Sequence, residues 1–246
     1  MAVREAAARN NGHRLNGYYF VSDAHLGSRQ AAAECRLADF LKSLQGRAAG
    51  LYILGDLFEF WFEYRRVIPK AGLKIIGLLS ALRSSGTAVV LLKGNHDVWF
   101  RGVLEQELGL GGFYDELSVE LEGRRVFMTH GDGLDKSLVP RVFRGLMRNR
   151  INGALFSLVH PDIGVGAARW IARKSREQGA KPALVKAMRQ FAQSKLAAGY
   201  DVVIMGHSHI PERVEFEKGV YLNLGDWVQN FTYGVIAEGA VRLERW

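Results

Sequence analysis

At 246 residues, with 48% hydrophobic and 24% charged side chains, the chain has the balance of an ordinary soluble protein and room for one large domain with its own core. A single cysteine, Cys35, excludes an intramolecular disulfide, and no run of about 18 apolar residues suggests a membrane-spanning helix. The net charge of +8 is concentrated: residues 136–200 hold 13 of the 33 basic residues but only two acids, Asp162 and Glu177, so this stretch carries +11 and the rest −3. Such a stretch attracts phosphates, whether on nucleic acid, a nucleotide or an anionic membrane surface.

In chain order, residues 1–17 contain Arg4, Arg9, Arg14 and Asn10-Asn11-Gly12 without the apolar centre of a secretory signal, and read as a disordered tail. Apolar runs of strand length follow at 18–21, 51–54, 88–92, 125–128, 201–205 and 220–222. Their near-continuous hydrophobicity suits strands covered on both faces. Helical patterns over about 34–44 and 70–84 separate the early runs, which predicts an α/β layered fold. The late runs at 234–237 and 240–245 flank Glu238-Gly239 and look antiparallel, so the sheets are expected to be mixed. Residues 136–199 lack a strand signal and read as a basic helical insertion, or cap, within a single domain over 18–246.

Each early run ends in polar residues, at the strand ends where ligands bind in open α/β sheets. The segments are Asp23-Ala24-His25, Gly55-Asp56, Gly94-Asn95-His96-Asp97, His130-Gly131-Asp132 and Gly206-His207-Ser208-His209. Alone, a Gly-Asp pair reads as a turn and an Asp-x-His as a solvated loop. All five in order, each after a strand, read as a metal site. Their mix of carboxylate, imidazole and amide oxygen suits borderline divalent ions such as Mn²⁺, Fe²⁺, Co²⁺ or Zn²⁺. A carboxylate such as Asp56 can bridge two ions, and a pair of ions clamps a phosphate and activates water at neutral pH.

This order of motifs resembles the calcineurin-like metallophosphoesterases, over essentially the whole chain from residue 18. The resemblance implies a sandwich of two mixed β-sheets flanked by helices. It implies Asp23, His25 and His209 on one metal, Asn95, His130 and His207 on a second, and Asp56 between them. It also implies a catalytic imidazole at His96, with Asp97 orienting it. The runs Gly55–Phe62, Gly94–Phe100, His130–Leu134 and Tyr221–Trp227, with the basic insertion, further resemble the UDP-2,3-diacylglucosamine pyrophosphatases of lipid A biosynthesis, in the form found in Bacteroidetes-type bacteria. That family cleaves its substrate to 2,3-diacylglucosamine 1-phosphate and UMP, usually with Mn²⁺. His96 and Ser208 depart from it, since many members carry Arg and Thr there.

The resemblance implies an acylated nucleotide sugar as substrate, and a peripheral place on the cytoplasmic face of the inner membrane, against an anionic surface. Asn95 and His96 are expected to touch substrate. Arg141, Arg144 and Arg148, spaced along one helical stripe beside Val142, Phe143, Leu146 and Met147, suit an acylated diphosphate, and an ordinary solvated basic face is the plainer alternative. Lys174, Ser175 and Arg176 are further candidates for diphosphate contact. Part of the run Phe58, Phe60, Trp61 and Phe62 is expected to line a pocket for lipid chains, whereas Trp170 and Trp246 are expected to pack and His160 to mark a helix end. Two other functions compete. A nuclease of the same superfamily fits the charge, but the insertion has few aromatic residues on which bases could stack. A non-catalytic scaffold fits the fold but not the complete set of ligands.

Overall fold

The structure, a computed structural model, describes residues 17–28, 31–97, 99, 102, 104, 106, 109–135, 145, 149–176 and 182–246. Its first sheet has six strands. β1 (Tyr18–Val21), β2 (Gly50–Leu54), β3 (Ala88–Leu92) and β4 (Gly111–Tyr114) run parallel, and β10 (Thr232–Ala237) and β11 (Ala240–Arg245) extend it antiparallel beyond β1. The second has five, in the order β5 (Glu116–Leu121), β6 (Arg124–Thr129), β7 (Val202–Met205), β9 (Gly219–Leu224) and β8 (Pro211–Phe216). Its centre, β6-β7-β9, is parallel and its two edges are antiparallel. Both sheets are therefore mixed, as the sequence suggested.

The period-2 alternation of strands divides each apolar run between two cores. Phe20, Tyr52, Leu54, Val90 and Leu92 of the first sheet meet Val126, Met128, Val202, Ile204, Leu222 and Leu224 of the second. The intervening residues Val21, Leu51, Ile53, Val89 and Leu91 pack beneath α1 (Ala31–Ser43) and α2 (Leu73–Ser84), through Leu37, Phe40, Leu41, Ile75 and Leu79. On the opposite outer face, Phe127, Val203, Met205 and Tyr221 are covered by Leu184, Met188, Ala192 and Leu196 of a helix at Pro182–Ala197. Neither outer face of the sandwich centre meets water, which is why its strands read as continuous hydrophobic runs.

Within residues 136–199 the described elements are α3 (Arg150–Phe156), α4 (Pro161–Arg176) and that covering helix, α5. α3 and α4 pack on a separate small cluster. Phe60 and Phe62 meet Ala168 and Val165 of α4, Phe156 of α3, Tyr64 and Trp99. Phe62 packs against other rings, with centroids 4.6 Å from Tyr64, 4.8 Å from Phe156 and 4.9 Å from Trp99. The expectation that part of the run Phe58, Phe60, Trp61 and Phe62 lines a lipid pocket is corrected. All four rings are buried, Phe58 and Trp61 stacked 4.2 Å apart in the α1/α2 core and the other two beneath the cap. Trp170, expected to pack, is 53% exposed. His160 does mark a helix end: its Nδ1 accepts the Asp162 N–H in the first turn of α4.

A large-to-small change at Phe62 is expected to cost about 3–5 kcal/mol. Because Phe62 serves a satellite cluster, the loss should be local: Phe62→Ala should raise hydrogen exchange in α3 and α4 while the β6-β7-β9 amides stay protected. Uniform deprotection of both regions would contradict this division of the core.

Candidate metal centre

The metal-binding candidates follow five strands. Asp23 and His25 follow β1, Asp56 follows β2, Asn95 and His96 follow β3, His130 follows β6, and His207 and His209 follow β7. β1, β2 and β3 are adjacent and parallel, as are β6 and β7, so each sheet delivers its loops at one edge. Backbone hydrogen bonds lace the loops together. The Asp23 N–H donates to the Gly55 carbonyl at 3.2 Å, and the His25 N–H to the Asp56 carbonyl at 3.0 Å. Within the second sheet the Gly206 N–H donates to the His130 carbonyl at 3.1 Å, and across the sandwich the His207 N–H donates to Asp23 Oδ2 at 2.9 Å.

The backbone itself is unusual here. Of eight described non-glycine residues with positive φ, five are Asp23, His25, Asp56, His207 and His209, at 45° to 66°. Asp and His tolerate the left-handed region better than most side chains, and such conformations gather at functional sites. Two motif glycines are also explained. A Cβ at Gly94 would lie 2.0 Å from Asp56 Oδ1, and one at Gly206 would lie 1.9 Å from Ser22 Oγ. Only glycine lets these loops close around the two carboxylates.

The side chains converge in three groups whose ligand atoms all lie within 4.8 Å of one another: Asp23, His25 and His209; His25, Asp56 and His96; and Asp56, His130 and His207. Asp23 Oδ1 is 3.1 Å from His209 Nε2 and 3.8 Å from His25 Nε2. Asp56 Oδ2 faces three imidazoles, with Nε2 of His130, His96 and His25 at 3.4, 3.7 and 4.0 Å. Asn95 Oδ1 is 3.2 Å from His130 Nε2. The donors are oxygens and imidazole nitrogens, and Asp23 Oδ1 is buried with no hydrogen-bond partner. Both facts fit residues shaped to hold divalent ions, with Asp56 common to two of the three groups.

Two ring orientations are fixed from behind. His130 Nδ1–H donates to the Leu54 carbonyl at 2.7 Å, and His96 Nδ1–H to the Glu59 carbonyl at 3.0 Å. Each Nε2 is thereby left facing the centre. The expectation that Asp97 orients His96 is corrected: its carboxylate instead accepts from the N–H groups of Leu57 and Gly94 at 2.8 Å and of Asp56 at 3.2 Å. Asp97 shapes the loop that carries Asp56. The ring of His96 answers to Glu59, a residue the sequence reading missed. The signal was an acid inside an otherwise aromatic run, Leu57-Phe58-Glu59-Phe60.

Charges in the centre are strongly coupled. Burial alone would raise the Asp56 carboxyl, but His96, His130 and His25 hold it well below the usual range. Burial would lower His130, yet Asp56 and Asp23 raise it well above 6.5, and Asp23 likewise raises His209 against burial. Burial, and then the charge of His130, pushes His207 down to about 4, while burial and the neighbouring Asp56 push Asp97 up to about 7. For His130 and His209 the shifts favour the protonated imidazole in the metal-free chain, whereas ligation requires the neutral one. Adding Mn²⁺ at pH 7 to metal-free protein should release protons, read with an indicator dye in weak buffer. Metal uptake without proton release would refute these assignments.

Of the expected substrate contacts, Asn95 and His96 lie at the centre. Arg141, Arg144 and Arg148 lie outside the described residues. Lys174, Ser175 and Arg176 form the end of α4, and their side chains lie outside the described set.

Residues 18–211 match the family pattern of calcineurin-like phosphoesterases. The chain is 34% identical over 244 residues to a UDP-2,3-diacylglucosamine hydrolase of Porphyromonas gingivalis, covering 88% of this chain and 92% of that protein. It is 30% identical over 232 residues to one of Neisseria meningitidis, covering 91% and 95%. It is 26% identical over 220 residues to one of Haemophilus influenzae, covering 87% and 91%.

Proposed function

The chain belongs to the calcineurin-like phosphoesterase family and is a hydrolase, and we propose that it cleaves the diphosphate of UDP-2,3-diacylglucosamine to 2,3-diacylglucosamine 1-phosphate and UMP, with Mn²⁺, at the cytoplasmic face of the inner membrane. The observation that carries the substrate is an apolar cap docked beside the metal-binding loops. α3 and α4 rest on Phe60 and Phe62, just past Asp56 in the chain. Across α3, α4 and the turn between them, Ile151, Leu155, Leu158, Ile163, Trp170 and Ile171 are exposed, Leu158 by 82% and Ile163 by 68%. α4 turns Gly164, Val165, Ala168 and Ala172 toward the body and its largest apolar residues, Ile163, Trp170 and Ile171, away from it. An ordinary solvated helix does the reverse. Exposed apolar side chains on a strongly basic segment suit acyl chains and an anionic lipid surface. Among the described residues, no helix is long and apolar enough to cross a membrane.

Asp23, His25, Asp56, Asn95, His130, His207 and His209 would hold two divalent ions, which supply Lewis acidity toward the phosphoryl oxygens and an activated water at neutral pH. The protein's own contribution is positional. With Nδ1–H committed to the Glu59 carbonyl, His96 as the imidazolium would present Nε2–H to the departing phosphate oxygen, giving it that proton or stabilising its charge. Asn95 stands beside it with an amide that can donate to a phosphoryl oxygen.

The test is UMP release from UDP-2,3-diacylglucosamine, from its unacylated counterpart and from single-stranded DNA, with and without Mn²⁺. Acyl chains bound by the cap should raise kcat/KM at least about 10²-fold over the unacylated sugar nucleotide, since remote binding energy is realised at the reacting centre. Equal turnover of both would remove the substrate assignment, and activity on DNA alone would favour a nuclease.

A further inference from the structure

We infer that Asn230 is a positioning residue. With Asp226 and Trp227 it clamps the main chain of His209 to that of Asp23, fixing one ligand group across the sandwich. Asp23 follows β1 in the first sheet, whereas His209 follows β7 in the second. Both hold left-handed conformations, with φ 55° and 58°. Such conformations persist only where their surroundings over-determine them. Here the surroundings include the loop 225–231, which carries the chain from β9 in the second sheet to β10, beside β1, in the first.

The loop is built around one buried carboxylate. Asp226 Oδ1 accepts the N–H groups of Val228 at 2.7 Å, Gln229 at 2.6 Å and Asn230 at 3.3 Å. Its Oδ2 accepts from Asn230 Nδ2 at 2.6 Å, and the same nitrogen donates to the His209 carbonyl at 2.9 Å. An ionised carboxylate and a carbonyl only accept, so the amide turns its NH₂ toward them and one hydrogen serves each. Next to Asp226, the Trp227 N–H donates to the Asp23 carbonyl at 3.1 Å, while the Trp227 ring is anchored in the α1/α2 core. The Thr232 hydroxyl closes the base of the loop on the Leu224 carbonyl at 2.6 Å. Asp23 Oδ1 and His209 Nε2, 3.1 Å apart, therefore belong to residues whose main chains are tied to a single loop. The run Tyr221–Trp227 serves the centre in this way although none of its residues is among the metal-binding candidates.

The inference rests on the reading of Asp23, His25 and His209 as ligands. The test is equilibrium titration of the full metal-free chain with Mn²⁺. Asn230→Ala should weaken one of two Mn²⁺ sites by about 10–100-fold and leave the other unchanged. Asn230→Asp keeps the shape of the side chain, but its carboxylate donates nothing, and it should lose at least as much. Gln229→Ala, at an exposed position in the same loop, should bind as wild type does. Added to His209→Ala, Asn230→Ala should weaken the remaining binding no further, as expected of residues acting through one ligand. Wild-type binding in either Asn230 variant, equal weakening of both sites, an equal loss in Gln229→Ala, or a further loss in the double variant would overturn the inference. A wild-type chain that takes up no Mn²⁺ would overturn the metal centre as well, which separates the two failures.

Discussion

Asp56→Asn is expected to lower hydrolysis by at least about 10³-fold, the several kcal/mol that metal-assisted charge stabilisation contributes to the transition state. The asparagine keeps the shape of the site: an amide oxygen at the Oδ1 position still accepts the His96 N–H now bonded there at 3.0 Å. What changes is charge. Asp56 Oδ2 faces His25, His96 and His130, and among the described residues it is the one carboxylate shared by two of the ligand groups. Without it, metal content should fall from two ions per chain to one or none, measurable by elemental analysis. A second effect appears in the metal-free state. His130 owes its raised pKa chiefly to Asp56, so the stabilisation from this pair is present below His130's unfolded pKa and fades as pH rises through its folded one. Removing the buried anion should cost the metal-free chain about 3 kcal/mol near neutral pH, seen in denaturant titrations. An asparagine variant that retained two ions and near-full activity would end the two-metal reading.

His96→Ala is expected to lower kcat by about 10²–10⁴-fold while both ions remain bound, because general acid–base catalysis contributes on that order. The separation between chemistry and metal binding is the informative result. His96 Nε2 lies 3.7 Å from Asp56 Oδ2, close enough to complete a ligand group with His25, so loss of an ion on substitution would make His96 a ligand rather than the catalytic imidazole. His96→Arg separates two catalytic roles. Arginine, which stands here in many members of the family this chain resembles, keeps a positive charge toward the leaving oxygen but gives no proton at neutral pH. Recovery of activity with arginine would identify charge stabilisation as the main contribution, and failure to recover would identify proton transfer.

The sandwich centre was legible because its strands are covered on both faces: β1, β2, β3, β6, β7 and β9 each left a continuous apolar run. The two edge strands of the second sheet, β5 and β8, were not. β5 alternates Leu117, Val119 and Leu121 with Glu116, Ser118 and Glu120, and β8 likewise breaks its apolar residues with Glu212, Arg213 and Glu215, so neither forms a run. α5 shared its basic composition with the cap helices, and only tertiary packing on β7 and β9 separates it from them. At the centre, the candidate ligands could be named from short motifs because each sits at a strand end. The supports could not, because they act across the fold: Glu59 reaches His25 over 34 residues and His96 over 37, and Asp97 serves Leu57 over 40. No local pattern records such pairings.

The five left-handed residues at the centre place function and folding in opposition. Each such conformation outside glycine costs of order 1–3 kcal/mol, and Asp23, His25, Asp56, His207 and His209 all adopt it. The surrounding sandwich must therefore carry several kcal/mol of backbone strain to present these side chains, a load unrelated to packing. Removing a ligand for the residue that its backbone prefers would lighten that load. His209→Gly should leave the metal-free chain more stable than His209→Ala even though both forfeit the imidazole. Here the chain is less stable than its fold would allow, and the shortfall lies in the loops where the chemistry occurs.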